Sequence, residues 1–251
     1  MFEGLSIPTP FQVGPVNAYL AGRTNVDPGP DSEEAWSAFL DGLDARDLTP
    51  EDVEQVLVTH PHPDHFGLAA RLREAGARVI VGETATPIVE DFPGRLEYEQ
   101  SFFGQFFERC GMDRTTANTV TNLPDAFVEY APSVPVDRQV SAGDTLVVAD
   151  TTVSVEALDG HACGEVLFSY DDEGDSIALV GDNILAEITP NPFLLPPERE
   201  GGERPRVLPA YNRSLDRLRE EDYDRCLPGH RTAIERPGER IGEIRDAHEE
   251  R

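Results

Sequence analysis

Three of the chain's six histidines, His60, His62 and His65, stand in the stretch VTHPHPDHFG at residues 58–67. Imidazole and carboxylate are the ligands that Zn²⁺ prefers, at about 2.0–2.2 Å. His60 and His62 lie two positions apart around Pro61, so on extended backbone both can face one ion. Pro63 then turns the chain so that Asp64 and His65 reach a second. The two prolines stiffen a segment that must hold its ligands before metal arrives, which lowers the cost of ordering it. A lone His-x-His is a weak signal. His-x-His-x-Asp-His at the end of a strand, followed by the helix-forming Gly-Leu-Ala, is a strong one.

Other residues of the same chemistry stand at comparable places. QVLVT leads into His60, VSVEALDG into His161, SIALVG into Asp182 and DRCLPG into His230. Loops at strand ends converge on one rim of a layered α/β protein, and sites are built there. His248 stands among acids in a C-terminal helix and reads as a surface residue. Cys110, Cys163 and Cys226 form no Cys-x-x-Cys pair and read as small buried hydrophobes. Cys163, two residues from His161, is also placed to face a metal.

The elements that must position these groups follow from local pattern. PVNAYLAGRTNV (15–26) predicts short strands. Residues 31–46 predict an amphipathic helix with acids in its first turn. LTPED (48–52) offers Thr49 as a helix cap and Pro50 at the first helical position. QVLVTH (55–60) predicts a buried strand, FGLAARLREAG (66–76) a helix closed by Gly76, and RVIVG (78–82) the next strand. Residues 83–140 differ. They predict a helical insertion rich in phenylalanine, with its own small core or as a lid over a substrate pocket. From residue 144, alternating apolar runs and a DDEGD turn predict an antiparallel meander. Helices at 208–221 and 239–251 flank a short strand at 223–230. The whole reads as a single α/β domain over 1–251.

VTHPHPDHFG resembles the signature of the metallo-β-lactamase-fold hydrolases. The other motifs of that superfamily occur in order: Asp27-Pro28-Gly29, Gly160-His161, Gly181-Asp182 and Pro228-Gly229-His230. The resemblance spans nearly the whole chain and implies a four-layered αββα sandwich. It implies that His60, His62 and His161 hold one metal, that Asp64, His65 and His230 hold a second, and that Asp182 bridges them. Asp27 is then a supporting residue behind the ligands. Asp-Pro-Gly is also an ordinary turn signal. The chain departs from the common pattern at Leu158-Asp159 before the Gly-His, and at Ala162-Cys163 after it.

The resemblance also implies the chemistry: a hydroxide held between two divalent ions, expected to be Zn²⁺ with Fe or Mn as alternatives, and Asp64 orienting it. His62 rather than glutamate points away from the oxygen-reducing diiron branch. Asp182 points away from true β-lactamases. The expected substrate is small, a thioester, ester or lactone. GDNILAEITPNPFL (181–194) resembles the glyoxalase-II-like, or hydroxyacylglutathione-hydrolase-like, branch, although the basic residues that hold glutathione are not recognisable. Two alternatives remain. One is a metal-dependent nuclease, for which Arg199, Arg204 and Arg206 are the local basic cluster. The other is a mononuclear iron dioxygenase of persulfides.

Composition bounds the setting. The 251 residues carry 48 acids against 21 bases, all arginine, for a net charge of -27. The acids are spread rather than blocked, a pattern that resembles proteins of extreme halophiles. Molar salt shortens the Debye length to about 3 Å and silences self-repulsion. That charge weighs little against a nucleic-acid substrate in such salt, though none is expected. No apolar run predicts a membrane span, and the N-terminus predicts no signal peptide. Unpaired cysteines predict a reducing cytoplasm. Oligomeric state leaves no mark in the sequence.

Overall fold

The computed structural model describes residues 1–122, 126–197 and 201–250. The alternating runs of the first half build a six-stranded sheet in chain order: β1 (Glu3–Ile7), β2 (Val16–Ala21), β3 (Thr24–Val26), β4 (Gln55–Val58), β5 (Arg78–Gly82) and β6 (Arg138–Val140). β1 to β3 pair antiparallel, and β3 to β6 run parallel. The second half builds the expected meander: β7 (Thr145–Val148), β8 (Thr151–Ala157), β9 (Val166–Asp172) and β10 (Asp175–Gly181). A fifth strand, β11 (Arg225–Pro228), joins parallel to β10.

Helices cover the outer faces. Ser32 caps α1 (Glu33–Asp44) by accepting from the Ala35 amide at 3.1 Å, and Glu33 and Glu34 complement the helix dipole in the first turn. Phe39 and Leu43 are then fully buried in the core of the first sheet, with Leu5 and Ile7 of β1. Burial of such a side chain contributes about 1.5–3 kcal/mol. The helix expected over 66–76 is two pieces, α2 (Pro63–Phe66) and α3 (Ala69–Glu74). At the break, a Cβ on Gly67 would stand 2.1 Å from the Tyr130 carbonyl oxygen.

On the second sheet, α8 (Val207–Glu221) and α9 (Pro237–Glu249) bury Tyr211, Leu215, Ile241 and Ile244 against Leu167, Ala178 and Val180. Between the sheets lie Val26, Leu57 and Ile80 from one and Leu146, Val153, Phe168 and Leu179 from the other. Helix, sheet, sheet and helix therefore form four layers, the expected αββα sandwich.

Four readings change. LTPED forms a single 3₁₀ turn over Pro50–Asp52, closed by reciprocal Thr49 and Asp52 bonds, rather than an α-helix. The segment expected as an insertion up to residue 140 forms α4 (Thr86–Glu90), α5 (Phe92–Arg109), α6 (Arg114–Thr121) and α7 (Ala126–Glu129), and gives way to sheet at Arg138. His248 is buried, with its Nδ1 2.8 Å from Asn212 Oδ1 and its ring against Tyr211. Cys226 is buried as expected, but Cys110 is exposed and Cys163 half-buried. No helix among the described residues is long and apolar enough to cross a membrane.

Candidate metal centre

One edge of the sandwich collects the ends of strands from both sheets. Asp27 follows β3 and His60 follows β4 in the first sheet. β8 and β10 both run antiparallel to β9 and therefore point the same way, as does β11. Their C-terminal ends deliver His161, Asp182 and His230. Backbone bonds hold this seam together. Gly229 N–H donates to the Gly181 carbonyl at 2.7 Å, Asn17 N–H to the Gly229 carbonyl at 2.6 Å, and Val166 N–H to the Thr59 carbonyl at 2.8 Å. A Cβ on Gly229 would lie 2.5 Å from both Asp182 Oδ1 and His65 Cε1, so only glycine leaves room for them.

The sequence-predicted residues meet here. His60, His62 and His161 form one group able to hold a metal, and Asp64, His65 and His230 form another. His62 Nδ1 stands 3.1 Å from His60 Nε2 and 3.2 Å from His161 Nε2. His230 Nε2 stands 3.3 Å from Asp64 Oδ2. Asp182 lies between the groups. Its Oδ1 is 3.6 Å from His65 Nε2, and its Oδ2 is 3.5 Å from His230 Nε2 and 3.7 Å from His161 Nε2.

Residues behind the imidazoles fix their tautomers. A carbonyl or carboxylate can only accept, so the facing Nδ1 must carry the proton. His65 Nδ1 donates to Asp27 Oδ2 at 2.9 Å, His230 Nδ1 to the Pro15 carbonyl at 2.8 Å and His161 Nδ1 to the Asn191 carbonyl at 3.3 Å. Thr59 donates its hydroxyl to Asp27 Oδ2 at 2.6 Å and so accepts from His60 Nδ1 at 3.0 Å. Four Nε2 atoms thus face the cluster. Asp27, with φ +52, also accepts from the Thr59 amide at 2.8 Å. Its group with His60 and His65 is therefore satisfied by hydrogen bonds, which leaves Asp27 behind the ligand set. Sequence reasoning missed Thr59, Pro15 and Asn191. Two of these act through backbone carbonyls, which every residue has.

Burial and neighbours set the charges. Burial holds His60 well below its ordinary value, helped by the surrounding imidazoles, and pushes His62 down to about 3 with His161 assisting. His161 is lowered mainly by burial. At His65 burial is outweighed by the carboxylates of Asp182, Asp27 and Asp64, which hold it well above its ordinary value. His230 is raised against burial by Asp64 and Asp182. Asp64 and Asp182 are lowered despite burial, His65 contributing most in each case.

The donor set fits a divalent cation. His65 Nε2, His230 Nε2 and Asp182 Oδ1 are buried without a hydrogen-bond partner, an arrangement that costs about 1–3 kcal/mol per atom unless a ligand compensates. Imidazole and carboxylate together suit zinc, iron or manganese better than a hard oxygen-seeking ion.

A buried carboxyl, Glu165, lies beside the centre. Burial pushes it up to about 8, partly offset by the Asn183 amide donating to its Oε2 at 2.9 Å. Asn183 follows Asp182, and its carbonyl accepts from Tyr211 Oη at 2.5 Å. The folded protein keeps the Glu165 proton between pH 4.5 and about 8 while the unfolded chain releases it, so this group lowers stability as pH rises through that window. Glu165→Gln is therefore expected to gain stability over the parent protein more at pH 8 than at pH 5. Chemical denaturation at the two pH values measures the difference; an equal gain at both would mean that Glu165 does not bind a proton there.

A cavity of about 430 Å³ opens directly onto His62, Asp64, His161 and Asp182. Phe193 forms part of its wall, edge-on at 5.3 Å to both the His62 and His161 rings. Cys163 lines the same cavity.

Comparison with known proteins agrees with this geometry. The family described as the metallo-beta-lactamase superfamily matches residues 12–230. The probable metallo-hydrolase YqjP of Bacillus subtilis (strain 168) is 28% identical over 230 residues, spanning 90% of this chain and 70% of that protein. The crystal structure of the metallo-beta-lactamase family protein TTHA1429 from Thermus thermophilus superimposes with a TM-score of 0.79 at 27% identity, over 99% of this chain and 79% of that one. A beta-lactamase domain protein from Burkholderia ambifaria shares the fold, with a TM-score of 0.78 at 24% identity over 99% and 74% of the two chains. With ligand-type residues from both sheets gathered on one edge, and a family match covering most of its length, the chain belongs to the metallo-beta-lactamase superfamily.

Proposed function

We propose that this protein is a binuclear metallohydrolase that cleaves a thioester, ester or lactone. His60, His62 and His161 would hold one ion, and Asp64, His65 and His230 the other, with Asp182 shared and Asp27 orienting His65 and Thr59. The observation that supports this reading is the set of three buried atoms that make no hydrogen bond, His65 Nε2, His230 Nε2 and Asp182 Oδ1, at the junction of the two groups. Zinc is the favoured ion, with iron or manganese as alternatives.

When bound, such ions supply Lewis acidity and acidify water towards neutral pH. The chain supplies the rest. Asp64, held as a carboxylate, is the proton acceptor for the attacking water and returns the proton to the leaving thiolate or alkoxide. Water oxygen adds to the acyl carbon, the carbon–sulfur or carbon–oxygen bond breaks, and an acid and a thiol or alcohol leave with no redox change. The four tethered Nδ1 atoms hold the imidazoles in register, so little reorganisation accompanies the reaction.

A phosphodiester substrate fits less well. Among the described residues, the one arginine of the cavity wall, Arg95, donates to Glu99 Oε1 at 2.6 Å. Arg204 is stacked 4.6 Å over Phe106 and donates to the Leu195 carbonyl. Of the other two arginines of the basic cluster, Arg206 is exposed at the start of α8 and Arg199 lies outside the described residues. GDNILAEITPNPFL supports kinship with the glyoxalase-II-like branch, and the spread of acids supports work in concentrated salt in the cytoplasm of a halophile. We also read α4–α7 as a cover over the cavity within a single catalytic domain.

The test is metal content of protein purified in high salt, followed by thioester, lactone and phosphodiester panels with and without chelator. Two ions per chain and chelator-sensitive thioester or lactone hydrolysis are expected. One iron per chain, or turnover of phosphodiesters alone, would overturn the proposal.

A further inference from the structure

The cavity beside the centre carries more information than the ligands do. It joins four separate segments: Phe11 from the loop after β1, Phe92 and Leu96 from α5, Phe127 from α7, and Phe193 and Leu194 from the loop after β10. Phe11 packs 5.1 Å from Phe127, closing one side. Among the described residues, the large hydrophobics left exposed are Val120, Val147, Ile188, Phe193, Leu194 and Leu208. Three of them, Ile188, Phe193 and Leu194, line this one cavity. In a chain of net charge -27, such a concentration of exposed apolar surface marks a site for an apolar ligand. Among the described residues the cavity offers that ligand no unpaired arginine, because Arg95 is held by Glu99.

Resting on the hydrolase reading above, we propose that the cavity is an acyl pocket for an unbranched aliphatic chain of medium length, with Phe193 as the residue that sets chain selectivity. Its 430 Å³ lies at the lower end of the range for small-molecule sites, about 300–1,000 Å³. If a methylene takes on the order of 30 Å³, like a water in the liquid, a chain of about eight carbons fits with the looseness usual for a bound ligand. Phe193 stands against His62 and His161, at the mouth where the carbonyl must reach the metals. The first carbons of the chain would therefore pass Phe193, and later ones would reach Phe92 and Leu96 of the same wall.

The experiment compares acetyl, butanoyl, hexanoyl, octanoyl and decanoyl thioesters of a small neutral thiol on the metal-loaded protein. It also measures binding of the matching alkanoates by calorimetry. Burying a methylene corresponds to about a fourfold gain, so kcat/KM and alkanoate affinity are each expected to rise roughly two- to fourfold per methylene up to about eight carbons. In Phe193→Ala and in Leu96→Arg, the octanoyl-to-acetyl ratio of kcat/KM is expected to fall at least tenfold, with circular dichroism confirming the fold. Thioester hydrolysis that is flat or falling with length overturns the acyl pocket while leaving the hydrolase reading intact. If no ester is hydrolysed but alkanoate affinity still climbs with each methylene, the hydrolase reading fails and the apolar-ligand assignment stands. Flat alkanoate binding overturns that assignment in either case.

Discussion

His62→Ala is expected to lose most of its bound metal and all detectable hydrolysis while keeping its fold. The three nitrogens of its group lie close together, with His62 Nδ1 within 3.1–3.2 Å of the other two. Removing the middle one leaves two imidazoles, and affinity at that position should fall by more than about 100-fold, beyond the 10- to 100-fold typical of losing an outer partner. Stability should hardly suffer. His62 precedes α2 in extended backbone, which alanine adopts readily, and its side chain caps no amide. Without metal the variant should even be slightly more stable below pH 6, since burial forbids His62 the proton that the unfolded chain accepts there. Elemental analysis and a denaturation curve decide the matter. Full metal content with wild-type turnover would refute the ligand assignment.

The second large effect is on folding. Gly160→Ala is expected to cost at least about 3 kcal/mol, combining left-handed strain with an overpacked contact. Gly160 has φ +123, and a Cβ there would lie 2.1 Å from Tyr211 Cβ and 2.5 Å from its Cα. Tyr211 is fully buried and cannot retreat without dragging α8 and the Asn183 carbonyl it bonds. For a chain of this size the loss corresponds to a fall in Tm of on the order of 8–10 °C. Gly143→Ala is the control, because Gly143 has φ +90 but nothing within 4 Å of the added carbon. It should cost only about 1 kcal/mol. Equal losses in the two variants would show that backbone strain, not the approach of α8, governs Gly160.

The layers and the metal-type residues were legible because both are written in local pattern. Strand-to-loop junctions put His60, His161, Asp182 and His230 at element ends, and an α/β sandwich brings such ends together. β1 and β6 were missed. β6 is three residues long with two exposed, too short for periodicity to register. His248 was misread from its acidic neighbours, yet Ile241, Ile244 and His248 fall at i, i+3 and i+7, the buried stripe of α9. That spacing could have placed it inside. The carbonyl partners of His161 and His230 left no trace, since the side chains of Asn191 and Pro15 do not make those bonds. The cavity was legible only as an excess of aromatics, because its walls come from segments far apart in the chain.

The helices α4–α7 lie between β5 and β6, which are adjacent and parallel in the same sheet. The ladder between the two strands sets no length for that stretch, which is anchored instead by Ile88, Val89, Phe92, Ala131 and Val134 in the core and by the Tyr130 carbonyl accepting from the Asp31 amide. Ile88, Phe92, Leu96 and Phe127 of the cavity wall are carried there, and the metal-type residues lie elsewhere. One wall of the cavity can thus vary without touching the metal-type residues, while Ile188, Phe193 and Leu194, on the loop after β10, keep the facing wall as it is.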